Sequence, residues 1–294
     1  MDVGSVGIWT AQLDLQPAAR AREVAAELDE LGYGALWVPE AVGREALTHA
    51  AVLLGATRRI VVATGVANIY NRTPAATALA QRLLADDSGG RFLLGLGVSH
   101  GPMVEGMLGQ RWEKPYSRMV EYLDALDGAF TVSPAPAKEP PRVLAALGPR
   151  MLELAGQRAW GALTYFVPVE HTPVARRHLG DGPMLMVEQA AVLTTDPEVA
   201  RDAARKHMQV YLTLPNYVSN LRRLGWGDDD LADGGSDALV DALVAWGDVD
   251  AIAARVAEHR EAGADHVCVQ VLDTDVSALP LEQWRELAPA LLDG

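Results

Sequence analysis

Short β-rich runs alternate with amphipathic helical stretches along almost the whole chain, and this alternation restricts the fold more than any other feature of the sequence. Strands are expected over residues 3–9, 34–39, 60–67, 91–97, 142–146, 162–167, 184–193 and 266–272. Helices are expected over 17–31, 45–57, 74–85, 116–130, 201–214, 237–245 and 281–292. Pro17 stands in the first turn of its helix, Val24, Leu28 and Leu31 fall on one face, and Gly32 is placed to end it. In the next helix Leu47, Ala50, Ala51 and Leu54 form the inner side. Several strands are apolar on both faces, as parallel strands covered by helices are. Residues 27–38 and 258–269 share one layout: a helix end, a glycine, a short loop and a buried strand. These features predict one α/β domain over residues 1–294, a (β/α)8 TIM barrel with a helical insertion around 195–250. An open doubly wound sheet is the structural competitor.

Composition narrows the function classes. With 294 residues, 49% of them hydrophobic, the chain can bury a full core. It shows no apolar run of spanning length and no basic-then-apolar leader, so a cytoplasmic protein without membrane contact is expected. The net charge of −14 works against nucleic acid and anionic membranes, so any anionic ligand must be met by a local set of donors. The single cysteine, Cys268, excludes an internal disulfide and a cysteine-based zinc site. The histidines show no paired ligand spacing, and no metal is expected. Asp228, Asp229 and Asp230 lie in a polar stretch over 227–235 and read as a solvated loop rather than a cation site.

In a barrel, the residues at the carboxyl ends of the strands face the active site. That rule selects Trp9, Glu40, Asn68, Tyr70, Ser99, His100, Gly148 and Arg150, with Glu188 and Gln189 inside the seventh strand. Glu40 follows an apolar strand and suits an acid or base, or equally a loop carboxylate capping the next helix. His100 closes the run Gly95-Leu-Gly-Val-Ser-His and exchanges protons near neutral pH; its alternative is a histidine tied to loop backbone. The same run carries two glycines of a dinucleotide fingerprint, but His100 takes the place of the third and no helix pattern begins there. Leu144-Ala-Ala-Leu-Gly-Pro-Arg joins a strand to a helix. Its free amides, helix dipole and Arg150 make an anion site, against the plainer reading of a simple helix start.

The segment Ala63-Thr-Gly-Val-Ala-Asn-Ile-Tyr-Asn-Arg-Thr-Pro resembles a G-V-x-N-x-Y-x-R-x-P run of the luciferase-like monooxygenase superfamily, in particular its deazaflavin-dependent oxidoreductases. The likeness extends from Gly7 to Leu272. It implies a bacterial-luciferase-like barrel, a cis peptide at Gly65-Val66 backing the ring of coenzyme F-420, and Asn68 and Tyr70 lining that ring. Leu36-Trp-Val-Pro-Glu is similar to a segment of sugar-phosphate dehydrogenases that carries an acidic residue and then a catalytic histidine. Glu40 matches the first, but Ala41 replaces the second, which argues against that activity. His100 falls where those enzymes place a glutamate acid. Ala145, Ala146, Leu147 and Gly148 match their phosphate loop, and Val98 and Ser99 belong to a segment similar to one coenzyme F-420-dependent subgroup. The resemblance therefore implies hydride transfer between deazaflavin C5 and a small-molecule substrate, with His100 first and Glu40 second as proton carriers, in a homodimer. An FMN-dependent monooxygenase and a non-catalytic coenzyme-binding barrel are the alternatives. The loops 103–112 and 211–217 are expected to shape the substrate pocket.

Overall fold

The computed structural model describes residues 1–275 and 277–292. Among the described residues ten strands occur: β1 (Val6–Trp9), β2 (Ala35–Val38), β3 (Val61–Thr64), β4 (Ala67–Asn68), β5 (Phe92–Gly97), β6 (Arg142–Ala145), β7 (Gly161–Thr164), β8 (Met184–Leu193), β9 (Val244–Gly247) and β10 (His266–Val271). Eight of them, in the order β1, β2, β3, β5, β6, β7, β8, β10, form a parallel ring that closes because β10 pairs with both β8 and β1. The closed ring excludes the open sheet.

Alternation along the strands separates two apolar layers. Trp37, Ala63, Leu93, Val143, Leu163, Met186 and Cys268 form one cluster that fills the barrel. Their neighbours Leu36, Val38, Val62, Phe92, Leu94, Leu144, Leu185 and Val267 belong to a larger cluster under the helices. Helix patterning follows the same division. Val24 and Leu28 are fully buried, and Gly32 ends its helix in the left-handed region at φ 97°. The sequence echo is real in geometry: Gly263 also has positive φ, at 110°, and both glycines are followed by a residue whose amide reaches back into the last helical turn. Ala51 departs from expectation by facing solvent, and Leu53 is buried in its place.

Two expected strands are cut short and one expected helix turns into strand. The expected strand 60–67 is interrupted at Gly65-Val66, and its second part pairs with β5 through Ala67 opposite Leu96 and Asn68 opposite Gly97. The strand expected over 162–167 ends at Thr164, and Phe166 takes positive φ of 57° as the chain leaves the barrel. The helix expected over 237–245 stops at Leu243, where the chain becomes β9 and pairs with the upper half of β8. Between β8 and β9 lie the helices Pro197–Tyr211, Pro215–Arg223 and Asp237–Leu243, with a short turn of helix at Asp228–Leu231. Their apolar faces (Ala204, Met208, Leu221, Leu239 and Val240 among them) form a separate cluster with Phe166 and Val192, making a roof at the carboxyl end of the barrel.

In that roof Asp228 pairs with Arg222, while Asp230 accepts from the Gly227 amide and the Ser236 hydroxyl, so these carboxylates close a loop. Among the described residues no cluster of metal-ligating side chains occurs. No helix among them is long and apolar enough to cross a membrane.

Candidate active site

A cavity of about 470 Å³ opens between the carboxyl ends of the strands and the roof. The strand ends contribute Trp9, Glu40, Gly65, Val66, Asn68, Val98, Ser99, His100, Ala145, Ala146, Leu147 and Gly148; the roof contributes Tyr211, Leu214, Asn216 and Tyr217. Its lining is mostly apolar. A second hollow of about 330 Å³ shares Val98, Ser99, Gly148 and Asn216 with the first and continues past Trp112, Tyr116 and Arg150. Of the residues selected from sequence, Tyr70, Glu188 and Gln189 line neither space, and the Gln189 side chain is spent on the Ala190 and Leu243 carbonyls and on His259. The Asn68 side chain accepts from the Tyr70 amide and turns the chain away, leaving the Tyr70 ring beneath the Arg118 guanidinium.

One wall is the cis peptide Gly65-Val66. The Trp9 indole N–H donates to the Gly65 carbonyl at 2.9 Å, which fixes that peptide against β1. On the other side the Val66 side chain occupies the room left by two glycines of β5. A Cβ at Gly97 would stand 2.4 Å from Val66 Cγ2, and one at Gly95 would stand 2.0 Å from the Thr64 carbonyl. The glycines that mimic a dinucleotide motif therefore serve close packing beneath this wall.

Glu40 is nearly inaccessible, with its side chain 3% exposed, and its carboxylate is fully engaged. It accepts from the Asn68 amide at 2.7 Å, from the Ala46 amide at 3.2 Å and from both terminal nitrogens of Arg72. Burial works against the Arg72 charge, but hydrogen bonds and attraction from Glu40, and then from Glu45, hold its pKa above the ordinary value.

His100 is half-buried at the start of the short helix Gly101–Gly106, and its ring lies 5.5 Å from that of Tyr217. Burial pushes its pKa below the ordinary imidazole value, and the Asn216 side chain opposes the shift. Tyr217 belongs to a group of aromatic rings that also holds Tyr165, Phe166, His207 and Tyr211, with Trp9 5.2 Å from Tyr165. Tyr165 shares a hydrogen bond of 2.8 Å with the Tyr211 hydroxyl and donates to Gln270 Oε1 at 2.9 Å. Deeper in, Glu188 accepts from the Phe166 amide at 3.1 Å through one oxygen, while the other has no partner among the described residues. Burial pushes its pKa up to about 8.

At the β6–helix junction the loop over 146–148 leads directly into a helix N-terminus. Gly148 precedes the helix Pro149–Arg158, whose second residue, Arg150, holds its guanidinium 4.2 Å over the Tyr116 ring. His171 fixes the loop from below through a 3.0 Å hydrogen bond to the Leu147 carbonyl.

The sequence pattern of luciferase-like monooxygenases matches residues 3–266. This chain belongs to the luciferase-like monooxygenase family. Within reach by sequence is a Mycobacterium tuberculosis protein whose name assigns it, provisionally, as a coenzyme F-420-dependent oxidoreductase; it is 28% identical over 96% of each chain. Among solved structures, an F-420-dependent secondary alcohol dehydrogenase with a bound F-420–acetone adduct superposes with a TM-score of 0.77, at 16% identity over 98% of each chain. The FMN-bound oxygenating component of 3,6-diketocamphane monooxygenase from Pseudomonas putida gives 0.71, at 15% identity over 98% of each chain. These structural likenesses lie in the fold. As a luciferase-like barrel the chain gathers most of its selected strand-end residues at this cavity, but the polar lining residues Tyr165, Tyr211, Asn216 and Tyr217 escaped the sequence reading as individuals. Tyr165 lay inside an expected strand, and Tyr211, Asn216 and Tyr217 lay in a loop known only to border the pocket. Their signal was three tyrosines in a chain with only 7, and it becomes legible once the roof is folded over the barrel.

Proposed function

We propose that this barrel is a coenzyme F-420-dependent oxidoreductase that moves hydride between the deazaflavin and a small organic substrate. The observation that carries the reading is the junction of two spaces, an apolar one walled by Gly65-Val66 and a second one with Arg150 at a helix start. The donor chemistry fits a ring system with a phosphate-bearing side chain: a flat apolar wall for the ring, and amides, a helix dipole and a guanidinium for the anion. When bound, the deazaflavin supplies two-electron hydride chemistry.

The chain's own groups then divide the remaining work. Gly65 and Val66 back the ring; Asn68, Val98 and Ser99 border it; Ala145, Ala146, Leu147, Gly148 and Arg150 hold the phosphate end. His100 exchanges the proton at an imidazole nitrogen. With its pKa lowered by burial it is neutral at pH 7 and ready to accept a proton from an alcohol. Glu40 is a positioning group, because Arg72 and two amides occupy its oxygens and it in turn orders the Asn68 backbone at the wall. Tyr70 is buried away from the cavity beneath Arg118 and takes no part.

Titrating the purified protein with coenzyme F-420 and with FMN, each followed by its own fluorescence, tests the reading. Preference for F-420 supports it, and preference for FMN moves the protein to the oxygen-using branch. His100→Ala is expected to retain F-420 affinity and to lose about 100-fold or more in turnover. Because the His100 pKa is lowered, alcohol oxidation should hold its rate as pH falls through the ordinary imidazole range and decline only below it. A profile of kcat/KM against pH that breaks at the ordinary value would remove His100 from the role.

A further inference from the structure

We propose that the substrate-facing half of the cavity takes a neutral carbonyl compound or the corresponding alcohol, and that Tyr217 holds the substrate oxygen beside His100. This rests on the hydride-transfer reading above and adds to it a substrate class and an oxygen-binding residue.

Hydrogen-bond direction singles out Tyr217. Three tyrosines line the cavity. The Gln270 oxygen can only accept, so the Tyr165 proton goes to Gln270. Tyr165 has then no proton left for Tyr211, and the 2.8 Å contact between the two hydroxyls requires Tyr211 to donate. Both protons are spent inside the protein, and Tyr211 turns only lone pairs to the cavity. Tyr217 stands outside this chain. Burial, followed by the neighbouring Tyr211 and Glu188, keeps its phenol protonated well past neutral pH, so it acts as a hydrogen-bond donor rather than as the acid. Its ring meets His100 at 5.5 Å, so the two groups can address one oxygen from adjacent directions.

Charge selects the class. Among the described residues lining the cavity, Glu40 and His100 are the only acidic or basic side chains. Glu40 is neutralised by Arg72, and His100 is uncharged at pH 7. No cation faces the space to receive a carboxylate or phosphate on the substrate, and no free carboxylate faces it to receive an ammonium group. The Arg150 guanidinium lies in the adjoining hollow over Tyr116, and those of Arg72 and Arg223 are engaged by Glu40 and Asn220. Burying an uncompensated charge here would cost several kcal/mol. Trp9, Tyr165, Leu163, Met103, Val210 and Leu214 offer instead a surface for an apolar body. A ligand matching all of this is uncharged, largely apolar, and carries one acceptor oxygen.

In the oxidising direction the hydroxyl proton of the alcohol would pass to the neutral imidazole nitrogen of His100 while Tyr217 holds the oxygen, and the O–H bonding pair would become the C=O π bond as the carbinol carbon gives up its hydride. A bound oxidised deazaflavin would supply the hydride acceptor, so the alcohol loses one hydride and one proton in all, and His100 would return its proton to solvent.

The test uses cyclohexanone and cyclohexanecarboxylate as probes of similar shape and opposite charge state. Each is titrated by saturation-transfer NMR into wild type, Tyr217→Phe and Tyr211→Phe, with and without F-420, and F-420 affinity is measured separately by fluorescence. Cyclohexanone should saturate the wild type and bind at least tenfold more tightly than the carboxylate. Tyr217→Phe should weaken it about tenfold, as loss of one hydrogen bond to a buried oxygen does, and leave F-420 affinity within about twofold. Tyr211→Phe should leave cyclohexanone binding unchanged. No saturable ketone binding, equal binding of the carboxylate, or an unaffected Tyr217→Phe protein each overturns the proposal. The wild-type probe comparison stands on its own if a variant does not fold. Ketone binding without any F-420 binding would defeat the hydride-transfer reading and leave the pocket assignment intact.

Discussion

Glu40 and Glu188 are both carboxylates buried at the upper end of the barrel, and they live in opposite electrostatic circumstances. Glu40 follows β2 and faces a guanidinium and two backbone amides in a place almost closed to water. Glu188 lies on β8 with one amide for a partner, and burial alone raises its pKa to about 8, leaving it a neutral acid at pH 7. Depth is nearly the same in the two cases; the counter-charge differs. What a buried acid does is therefore decided by what faces it, and a strand-end position alone does not mark a proton carrier.

Removing the counter-charge should have the largest effect. Arg72→Leu leaves Glu40 buried and unpaired, and a loss of about 3–5 kcal/mol in unfolding free energy is expected by urea titration at pH 7. Glu40→Gln should cost less, about 1.5–3 kcal/mol, since the amide oxygen can still accept from Asn68 and Arg72 retains Glu45. If both variants proved neutral, the Arg72 pair would not be what holds Glu40 in place, and its candidacy as an acid would reopen. Glu188→Gln should be the mildest, within about 1 kcal/mol at pH 7, because it exchanges one neutral group for another. Its signature lies in pH dependence. The folded pKa lies above the unfolded carboxyl value, so the folded state binds more protons and stability falls as pH rises from about 4.5 toward about 8. Glu188→Gln should flatten that slope; an unchanged slope would show that some other group produces it.

The barrel was legible in the sequence because strand and helix periods, and the glycines ending two helices, are local properties. The Gly65-Val66 wall was legible because ten successive motif positions carry it. The state of Glu40 was not, since Arg72 lies 32 residues away and meets it only when β2 pairs with β3, Val38 opposite Thr64. Tyr70 sits inside the motif, yet one side-chain turn by Asn68 removes it from the cavity. β9 was hidden for a different reason. Val244-Ala-Trp-Gly continues a helical pattern, and only the long edge offered by β8 converts it to strand. The hydrogen-bond order of the three tyrosines depends on Gln270, which comes from yet another strand.

β9 also gives the roof a property of its own. The connection from β8 leaves at Leu193 and returns to lie beside it, with Leu193 opposite Gly247 and Ala190 opposite Val244. A span whose two ends are already stitched together side by side can grow at small entropic cost, about 0.6 kcal/mol for each doubling of length. The scaffold and the selectivity of this protein are thus separately heritable: descendants can trade the whole span between these two strands for another without asking the eight-membered ring to relearn how to fold.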